Sequence, residues 1–312
     1  MRVFIAGASG VVGRHLIPML VKAGHQVVGT SRHDAGAERI HQLGASPVTV
    51  DPLQAESVHS VVEDAKPDVV IHQLTALSGP INLKDFEGSF AKTNKLRTTG
   101  LDLLLSAAVA AGATRFIAQS YTGWPNQRSG TAIKTEEDPI DPDPEPTTAK
   151  TVAAIAYLEE TVPSNTDIDG LALRYGALYG PGTGLGVGGD LYEMVASRKL
   201  PLVGGGAGVW SHLHIEDAAT ATVAALQHGD RGVYNIVDDE PAPVYEWLPH
   251  LADAIGAKPP MRLPAWLARP MIGGQGVSVM TKIRGSSNAK AKRELGWTPI
   301  HPTWREGFKN AL

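Results

Sequence analysis

Short apolar runs alternate along the chain with longer segments whose apolar residues recur every three or four positions. The runs predict buried strands, and the longer segments predict helices. The predicted strands cover residues 3–6, 26–30, 48–50, 69–71, 115–118, 171–174 and 233–236. Residues 11–23 are predicted to form a helix, and residues 90–111 one long helix. Strands that alternate with helices are typical of a doubly wound parallel sheet.

The fold class that follows is α/β, a Rossmann-type doubly wound parallel sheet of about seven strands with a smaller C-terminal substrate domain. We expect residues 1–180 to form the dinucleotide-binding domain and residues 206–240 to return to it. Residues 181–205 and 241–312 would form the smaller domain. Residues 182–189 are rich in glycine and follow the sixth strand. Ligands bind at that edge of such sheets, so we expect this segment to be a substrate lid.

A glycine-rich turn, GASGVVG at residues 7–13, joins the first predicted strand to the first helix. Gly7 permits the tight turn, Gly10 lets the backbone approach a pyrophosphate, and Gly13 lets the helix pack against the strand. The helix N-terminus offers free N–H groups and a positive dipole to phosphates. This turn therefore predicts a dinucleotide site, which also includes Ser9, Val11 and Val12.

The end of the second strand indicates which dinucleotide binds. Sites that prefer NAD place an acidic residue there to accept from the ribose 2′-hydroxyl. This chain has the sequence GTSRH at residues 29–33, without a carboxylate. Ser31 and Arg32 are suited to a 2′-phosphate, because a guanidinium matches phosphate geometry. We therefore expect NADP(H), with NAD(H) the less favoured cofactor.

Composition narrows the classes of partner. The net charge is −4 and no basic run is present, which argues against a nucleic-acid surface. The chain has no cysteine, which excludes disulfides, thiolate nucleophiles and cysteine-bound metals. No signal peptide or membrane-length apolar stretch stands out, so we expect a cytoplasmic protein with a small-molecule substrate and no membrane partner.

These features and further motifs resemble the extended short-chain dehydrogenase/reductase superfamily, the NAD(P)-dependent epimerase/dehydratase group, over nearly the whole chain. The further motifs are DVVIHQLTA (68–76), RFIAQS (115–120), LRYGALYGPGTG (173–184), HIEDAA (214–219), GVYNIVDDEP (232–241) and AKRELGWTP (291–299). The resemblance implies that Asp51 lies near the adenine and that Asn94 supports the active-site backbone. It implies that the turn of Leu74, Thr75 and Ala76 lines the cofactor.

The chain departs from this family at its acid/base residues. The family uses a Tyr-x-x-x-Lys pair, in which the lysine lowers the pKa of the tyrosine. None of the seven tyrosines here has a lysine four residues later. Counting from the fifth strand places Pro146 and Lys150 at the two positions. An alignment on Glu159, which we favour, places Thr151 and Ile155 there instead. The tyrosine is missing in both alignments.

A tyrosine does follow the fifth strand. Tyr121 stands where the family has its serine or threonine, and Ser120 and Thr122 flank it. The candidate catalytic residues are therefore Tyr121, Ser120, Thr122 and Lys150. We expect an NADP(H)-dependent oxidoreductase that reduces a carbonyl or oxidises a secondary alcohol. A sugar-nucleotide epimerase or dehydratase and a non-catalytic NADP(H)-binding sensor or scaffold are the alternatives.

Other polar residues carry more ordinary expectations. We expect His72 to be structural, Glu159 to lie on a solvated helix face, and Asp217 to cap the helix that follows it. No His, Asp or Glu cluster has the spacing of metal ligands, so no metal site is expected. The resemblance implies a homodimer through the helices after strands four and five, where alanines would permit close approach. These alanines are Ala149, Ala153, Ala154 and Ala156.

Overall fold

A computed structural model describes residues 1–77, 79 and 81–312. The strands are β1 (Arg2–Ala6), β2 (Gln26–Ser31), β3 (Ser46–Thr49), β4 (Val69–His72), β5 (Arg115–Tyr121), β6 (Ile133–Lys134), β7 (Asp169–Tyr175), β8 (Ala177–Tyr179), β9 (Leu202–Val203), β10 (Val209–Trp210), β11 (His212–His214), β12 (Gly232–Ile236), β13 (Ala242–Pro243), β14 (Arg262–Leu263) and β15 (Gly285–Ser286). The helices are α1 (Val11–Lys22), α2 (Asp34–Gln42), α3 (Ala55–Ala65), α4 (Phe86–Arg97), α5 (Thr99–Ala110), α6 (Ala149–Ser164), α7 (Asp190–Ala196), α8 (Ile215–Ala224), α9 (Val244–Ala254), α10 (Ala265–Thr281), α11 (Ala289–Leu295) and α12 (Trp304–Asn310).

The central sheet has seven strands in the order β12-β7-β5-β4-β1-β2-β3, and all of its pairings are parallel. This confirms the predicted doubly wound α/β fold. The chain moves outward from β1 to β3 and then returns to place β4 on the other side of β1. Such a reversal opens a crevice at the carboxyl ends of the strands, which is where this class of sheet binds ligands.

Helices cover both faces of the sheet. Since successive side chains along a strand point to opposite faces, neighbouring residues are buried in different cores. Ile117 packs in a core with residues of α1 and α8. Its neighbour Phe116 packs on the other face with residues of α3, α5 and α6. Full burial of a side chain such as either of these stabilises the fold by about 1.5–3 kcal/mol. Apolar residues on both faces explain why the strands were visible as continuous apolar runs.

A third core lies among the later segments of the chain and is rich in aromatic side chains. It contains Tyr179, Trp247, Trp304 and Phe308, all fully or almost fully buried. The division into a dinucleotide-binding and a substrate-binding domain stays a prediction. No helix among the described residues combines the length and apolarity needed to cross a membrane.

The segment 90–111, predicted as one helix, is part of two. Helices α4 and α5 meet at Thr98, whose φ of −109° and ψ of −91° are not helical. The Thr98 hydroxyl donates a hydrogen bond to the carbonyl of Asn94, one of the local bonds by which threonine competes with a helix. The break ends α4 at Arg97, which lies buried.

Candidate active site

The turn between β1 and α1 accepts only glycine at two of its positions. Gly7 has a φ of +88°, and a Cβ there would lie 2.6 Å from the carbonyl oxygen of Gln73. At Gly13 a Cβ would lie 2.3 Å from the carbonyl oxygen of Ala8. Contacts this short are repulsive, so a side chain at either position would push the turn out of place. The geometry explains the two glycines as the sequence predicted them.

The third glycine leaves an opening beside the helix. Gly10 is exposed and is the N-cap of α1, and no side chain of the described residues caps this helix. The N–H groups of Val11, Val12 and Gly13 are therefore available to an external acceptor. Ser9 lies partly buried in the same turn. The pyrophosphate of a dinucleotide is the acceptor that such a helix terminus fits.

The end of the crevice at which we expect the adenosine of a dinucleotide is an open cleft of about 640 Å³ beyond β2 and β3. Arg32, His33, Asp51 and Lys92 are exposed and line it. Two full positive charges thus face one carboxylate, and this balance suits an anionic ligand. Lys92 comes from α4 and was not predicted, because this helix reaches the cleft only through the fold.

Ser31 does not share this exposed position. It is buried, and its Oγ accepts a hydrogen bond from the N–H of His33 at 3.2 Å while donating to the His33 carbonyl at 2.9 Å. Of the pair expected to contact a 2′-phosphate, Arg32 therefore faces the cleft, and Ser31 shapes the turn that presents it.

The segment after β4 lies against the glycine turn. Leu74 is buried, while Thr75 and Ala76 are partly buried. The N–H of Ala76 donates to Thr93 Oγ1 at 3.0 Å, which ties this segment to α4. The segment follows Gln73, whose carbonyl oxygen abuts Gly7, so residues 74–76 lie at the same crevice as the glycine turn.

Asn94 joins α4 to α6 beside this crevice. Its Nδ2 donates to Thr151 Oγ1 at 3.0 Å, and its Oδ1 is buried without a hydrogen-bond partner among the described residues. Thr151 is fully buried, whereas Lys150 is 77% exposed and its Nζ pairs with Glu87 at 2.9 Å. Both side chains thus contact α4, but Thr151 does so in the buried interior with Asn94, and Lys150 does so at the surface with Glu87.

The two hydroxyl residues next to Tyr121 are engaged within the protein. Ser120 Oγ donates to Glu159 Oε1 at 2.6 Å. Thr122 Oγ1 lies 2.5 Å from Ser286 Oγ and donates to Asn126 Oδ1 at 3.2 Å. Both side chains are almost fully buried. Tyr121 is the one candidate catalytic residue of the four whose polar group makes neither a hydrogen bond nor an ion pair with the described residues.

The phenol of Tyr121 lies at the carboxyl end of β5, against an aromatic group. Its ring is 5.8 Å from that of Trp124, which contacts Phe86 and Phe90 of α4. The side chain keeps some surface exposure. Burial raises the pKa of its phenol to about 12, and the positive charge of Arg97 opposes that rise. Tyr121 is thus protonated at neutral pH.

Glu159 is buried, and the expectation of a solvated helix face was wrong for it. Its two carboxylate oxygens accept from Nε and Nη2 of Arg174 at 2.9 and 2.7 Å. The helical periodicity could have predicted this burial, because Glu159 lies on the same buried face of α6 as Thr151, Ile155 and Val162. Its neighbour Glu160 is exposed.

Arg97 is the residue of this region that the sequence reasoning missed. It is 4% exposed, and its Nη1 has no hydrogen-bond partner among the described residues. The clue was again periodicity, since Phe86, Phe90, Thr93 and Arg97 follow one face of α4 at helical spacing and all are buried. A cation on an apolar stripe is rare without a partner or a function.

Two other polar residues have structural roles. His72 is fully buried and donates from Nε2 to the Leu96 carbonyl at 3.1 Å, and burial lowers its pKa to about 4. This agrees with the structural role expected of it. Asp217 does not cap α8, contrary to expectation. It lies inside the first turn and accepts from the N–H groups of Ile300 and His301, while His214 is the N-cap.

The fold also gathers His214, Glu216 and His301, whose potential ligand atoms lie within 4.8 Å of one another. Linear spacing did not reveal this group. His214 Nδ1 accepts from the N–H of Glu216, and its Nε2 donates to the Ala311 carbonyl at 3.1 Å. Because both ring nitrogens are engaged, we assign no metal to this group.

The glycine-rich segment 182–189 forms successive hydrogen-bonded turns. Thr183 Oγ1 donates to the Gly180 carbonyl at 2.8 Å, and Leu185 is buried in the aromatic-rich core. Val187, between these turns and α7, is 68% exposed. The segment is thus anchored on one side and open on the other, and its role as a lid stays a prediction.

Comparison with known proteins decides the family to which this arrangement belongs. The model of the NAD dependent epimerase/dehydratase family matches residues 3–237. The chain belongs to this family. The predicted membership is therefore confirmed.

Relatives in this family include several reductases. A 3-diazoavenalumate denitrifying reductase from a Streptomyces species is 44% identical over 309 residues, covering 99% of both chains. A 2-alkyl-3-oxoalkanoate reductase from Stenotrophomonas maltophilia is 27% identical, covering 82% of this chain and 76% of its own. Among solved structures, UDP-glucose 4-epimerase from Thermotoga maritima superposes with a TM-score of 0.77 at 22% identity, covering 100% and 97% of the two chains. At that identity the structural likeness shows the fold alone.

Proposed function

We propose that this protein is an NADPH-dependent reductase in which Tyr121 donates the proton. The observation that carries the proposal is the position of Tyr121. Its phenol ends β5 at the edge of the sheet where ligands bind, and it makes no hydrogen bond to the described residues. The neighbouring Ser120 hydroxyl is bound to Glu159, and Lys150 lies on the surface with Glu87.

The choice of NADPH rests on the adenosine end of the crevice. Arg32 and Lys92 line a cleft that holds one opposing carboxylate, Asp51. A 2′-phosphate adds about two negative charges there, which this balance favours, whereas the 2′-hydroxyl of NADH adds none. NADH fits the same glycine turn, so the two cofactors would differ at this cleft only.

The direction of the reaction follows from the protonation state of Tyr121. The bound cofactor supplies a hydride. A phenol whose pKa is raised to about 12 holds its proton at neutral pH and is suited to give it to a product that gains negative charge. Abstraction of a proton from an alcohol would require the phenolate, which is scarce under these conditions. Reduction is therefore favoured over oxidation.

The candidate substrates are carbonyl compounds and diazo compounds. Carbonyl reduction adds one hydride to carbon and one proton to oxygen. Reductive removal of a diazo group adds one hydride and one proton and releases dinitrogen. Both reactions make the same demand on the protein, namely one proton delivered beside the hydride acceptor. The 44% identical denitrifying reductase favours the diazo class, and the 27% identical 2-alkyl-3-oxoalkanoate reductase favours the carbonyl class.

Two alternatives make different demands. A sugar-nucleotide epimerase must first remove a hydroxyl proton, and the tyrosine that does so in this family has no counterpart here, since Thr151 and Ile155 occupy the aligned positions and are buried. A non-catalytic sensor needs only the cofactor site.

We also propose a homodimer, for which Ala149 and Ala153 of α6 offer an exposed strip. A monomeric mass by light scattering would contradict it.

Turnover with NADPH tests the proposed reductase. The protein and NADPH are incubated in separate reactions with a panel of carbonyl compounds, a panel of diazo compounds and a panel of sugar nucleotides. The absorbance of the reduced nicotinamide and the release of dinitrogen are followed in each reaction. We expect NADPH oxidation with a carbonyl or diazo compound, and stoichiometric nitrogen in the diazo case. Binding of NADPH without turnover of any compound would favour the sensor. Conversion of a sugar nucleotide without net cofactor oxidation would favour the epimerase.

A further inference from the structure

Arg97 is a buried cation without a hydrogen-bond acceptor among the described residues. No hydrogen bond joins its guanidinium to any of the described residues, and Nη1 is fully enclosed. A charge removed from water without hydrogen bonds costs several kcal/mol. Burial lowers the pKa of Arg97 to about 10, and the charges of Glu159 and Tyr121 partly offset this effect. Arg97 remains a cation at neutral pH.

The carboxylate whose charge acts on Arg97, that of Glu159, already binds other groups. Both oxygens of Glu159 accept from Arg174, and Oε1 accepts from Ser120 as well. One negative charge therefore faces two buried guanidinium groups. Glu136, which is only partly buried, interacts with the charge of Arg174 and accepts a hydrogen bond from the N–H of Asn235. The charge left without a close partner is that of Arg97.

The buried face of α4 that carries Arg97 packs on the aromatic group beside Tyr121, and the charges of the two groups interact. Phe86, Phe90 and Arg97 lie on one buried face of α4, and the first two contact Trp124, whose ring packs on that of Tyr121. The charged or titratable groups around the pair are Arg97 from α4, Glu159 from α6, Arg174 from β7 and His72 from β4. His72 is neutral, since its pKa is lowered to about 4.

We propose that Arg97 is the positioning residue that stabilises negative charge on Tyr121 Oη, and so takes over in this chain the task of the missing lysine. This proposal rests on the proposed reductase. In the proton transfer the O–H bond of Tyr121 breaks, its electron pair stays on Oη, and the proton passes to the reduced substrate. The phenolate is held by the guanidinium until it regains a proton from solvent.

The charge on Tyr121 can be measured without any substrate. Difluorotyrosine is introduced at position 121 of the full-length protein, because its phenol ionises at lower pH than the other six tyrosines and its fluorine NMR signal reports on that phenol alone. The phenol is titrated in the parent protein and in R97M, R97K and K95M. Lys95 is the matched control, since it is an exposed cation in the same last turn of α4.

We expect R97M to raise the phenol pKa by about 1 to 3, the effect of removing an adjacent opposite charge. R97K should restore most of the difference, and K95M should leave the pKa unchanged because water and salt screen an exposed charge. Equal phenol pKa values in the parent and R97M would overturn the proposal. So would an equal rise in R97M and K95M.

Two checks keep the outcomes separate. Circular dichroism and thermal melting establish that each variant is folded, and R97Q, which retains amide donors, replaces R97M if the latter does not fold. The titration needs no turnover, so a protein that proves inactive leaves the test of the Arg97–Tyr121 pair intact. Conversely, the enzyme can be active while the pKa of the phenol at position 121 is the same in the parent and R97M. That result contradicts the proposed role of Arg97 but not the proposed reductase.

Discussion

The two ends of the crevice at the carboxyl edge of the sheet are built in different ways. The phosphate end is formed by one short turn, in which Gly7 and Gly13 are required by backbone contacts of 2.6 and 2.3 Å. The end proposed for proton transfer is assembled from α4, β5, α6 and β7, which carry Arg97, Tyr121, Glu159 and Arg174, and Glu159 and Arg174 form a buried ion pair there. The first end depends on local shape and the second on interactions between distant segments, so different substitutions should break them.

The largest loss of stability should follow a break in the buried ion pair at the proton-transfer end. E159Q would leave Arg174 buried beside a neutral amide, and removing one partner of such a pair costs about 3–5 kcal/mol. The free energy of unfolding in urea measures this effect. E160Q is the control, because Glu160 is exposed and surface changes are typically within about 0.5 kcal/mol. Equal stability of the two variants would contradict the description of Glu159.

The phosphate end should respond to backbone shape instead. G7A forces alanine into a positive φ, which costs about 1–3 kcal/mol, and adds the contact with Gln73. Its control is G24A, since Gly24 has a φ of +81° and a Cβ added there would meet no atom within 4 Å. We expect G7A to weaken NADPH binding and G24A to spare it, as measured by fluorescence titration. Unchanged binding by G7A would show that the turn adapts.

The same contrast explains how much the sequence could predict. The glycine turn, the seven strands and Arg32 were visible because each depends on residues close together in the chain. Glu159 was misjudged because its partner Arg174 lies on another element, and burial of its helix face was overlooked. Arg97 was missed because α4 and α5 were merged into one helix, which concealed where α4 ends, and Lys92 was missed because its helix reaches the cleft only through the fold. Asp217 was assigned to a cap because the N–H groups that it binds come from residues 300–301, far along the chain.

A smaller effect is expected at the adenosine cleft, where Arg32 would contact the 2′-phosphate. R32A should narrow the preference for NADPH over NADH by up to about 1.5–3 kcal/mol, the range for a hydrogen bond to a charged group. R39A, which removes an exposed cation of α2 that does not line the cleft, should keep the preference. Calorimetric titration with both cofactors measures the difference. Equal affinity in the unmodified protein would refute the preference for NADPH.

The smallest effect concerns segment 182–189, which reaches the start of α1 at Gly182, where an added Cβ would lie 3.1 Å from Val11 Cγ2. Its turns are hydrogen bonded and Leu185 is buried, while Val187 is exposed. If this segment is a lid, hydrogen exchange at residues 182–189 should slow when cofactor and substrate are both bound. Exchange that stays the same would leave it as a connection between β8 and α7.

The central claim is that Tyr121 delivers the proton, and the rate of the Y121F variant tests it most directly. Phenylalanine removes the hydroxyl with little change in shape, so NADPH affinity should be kept while the reduction rate falls. Proton transfer by a positioned group is typically worth about 100-fold or more. We expect a loss of that size in single-turnover reduction of the best substrate found, with the nicotinamide absorbance as readout. A Y121F variant that keeps more than about half of the parent rate would show that the proton comes from another group.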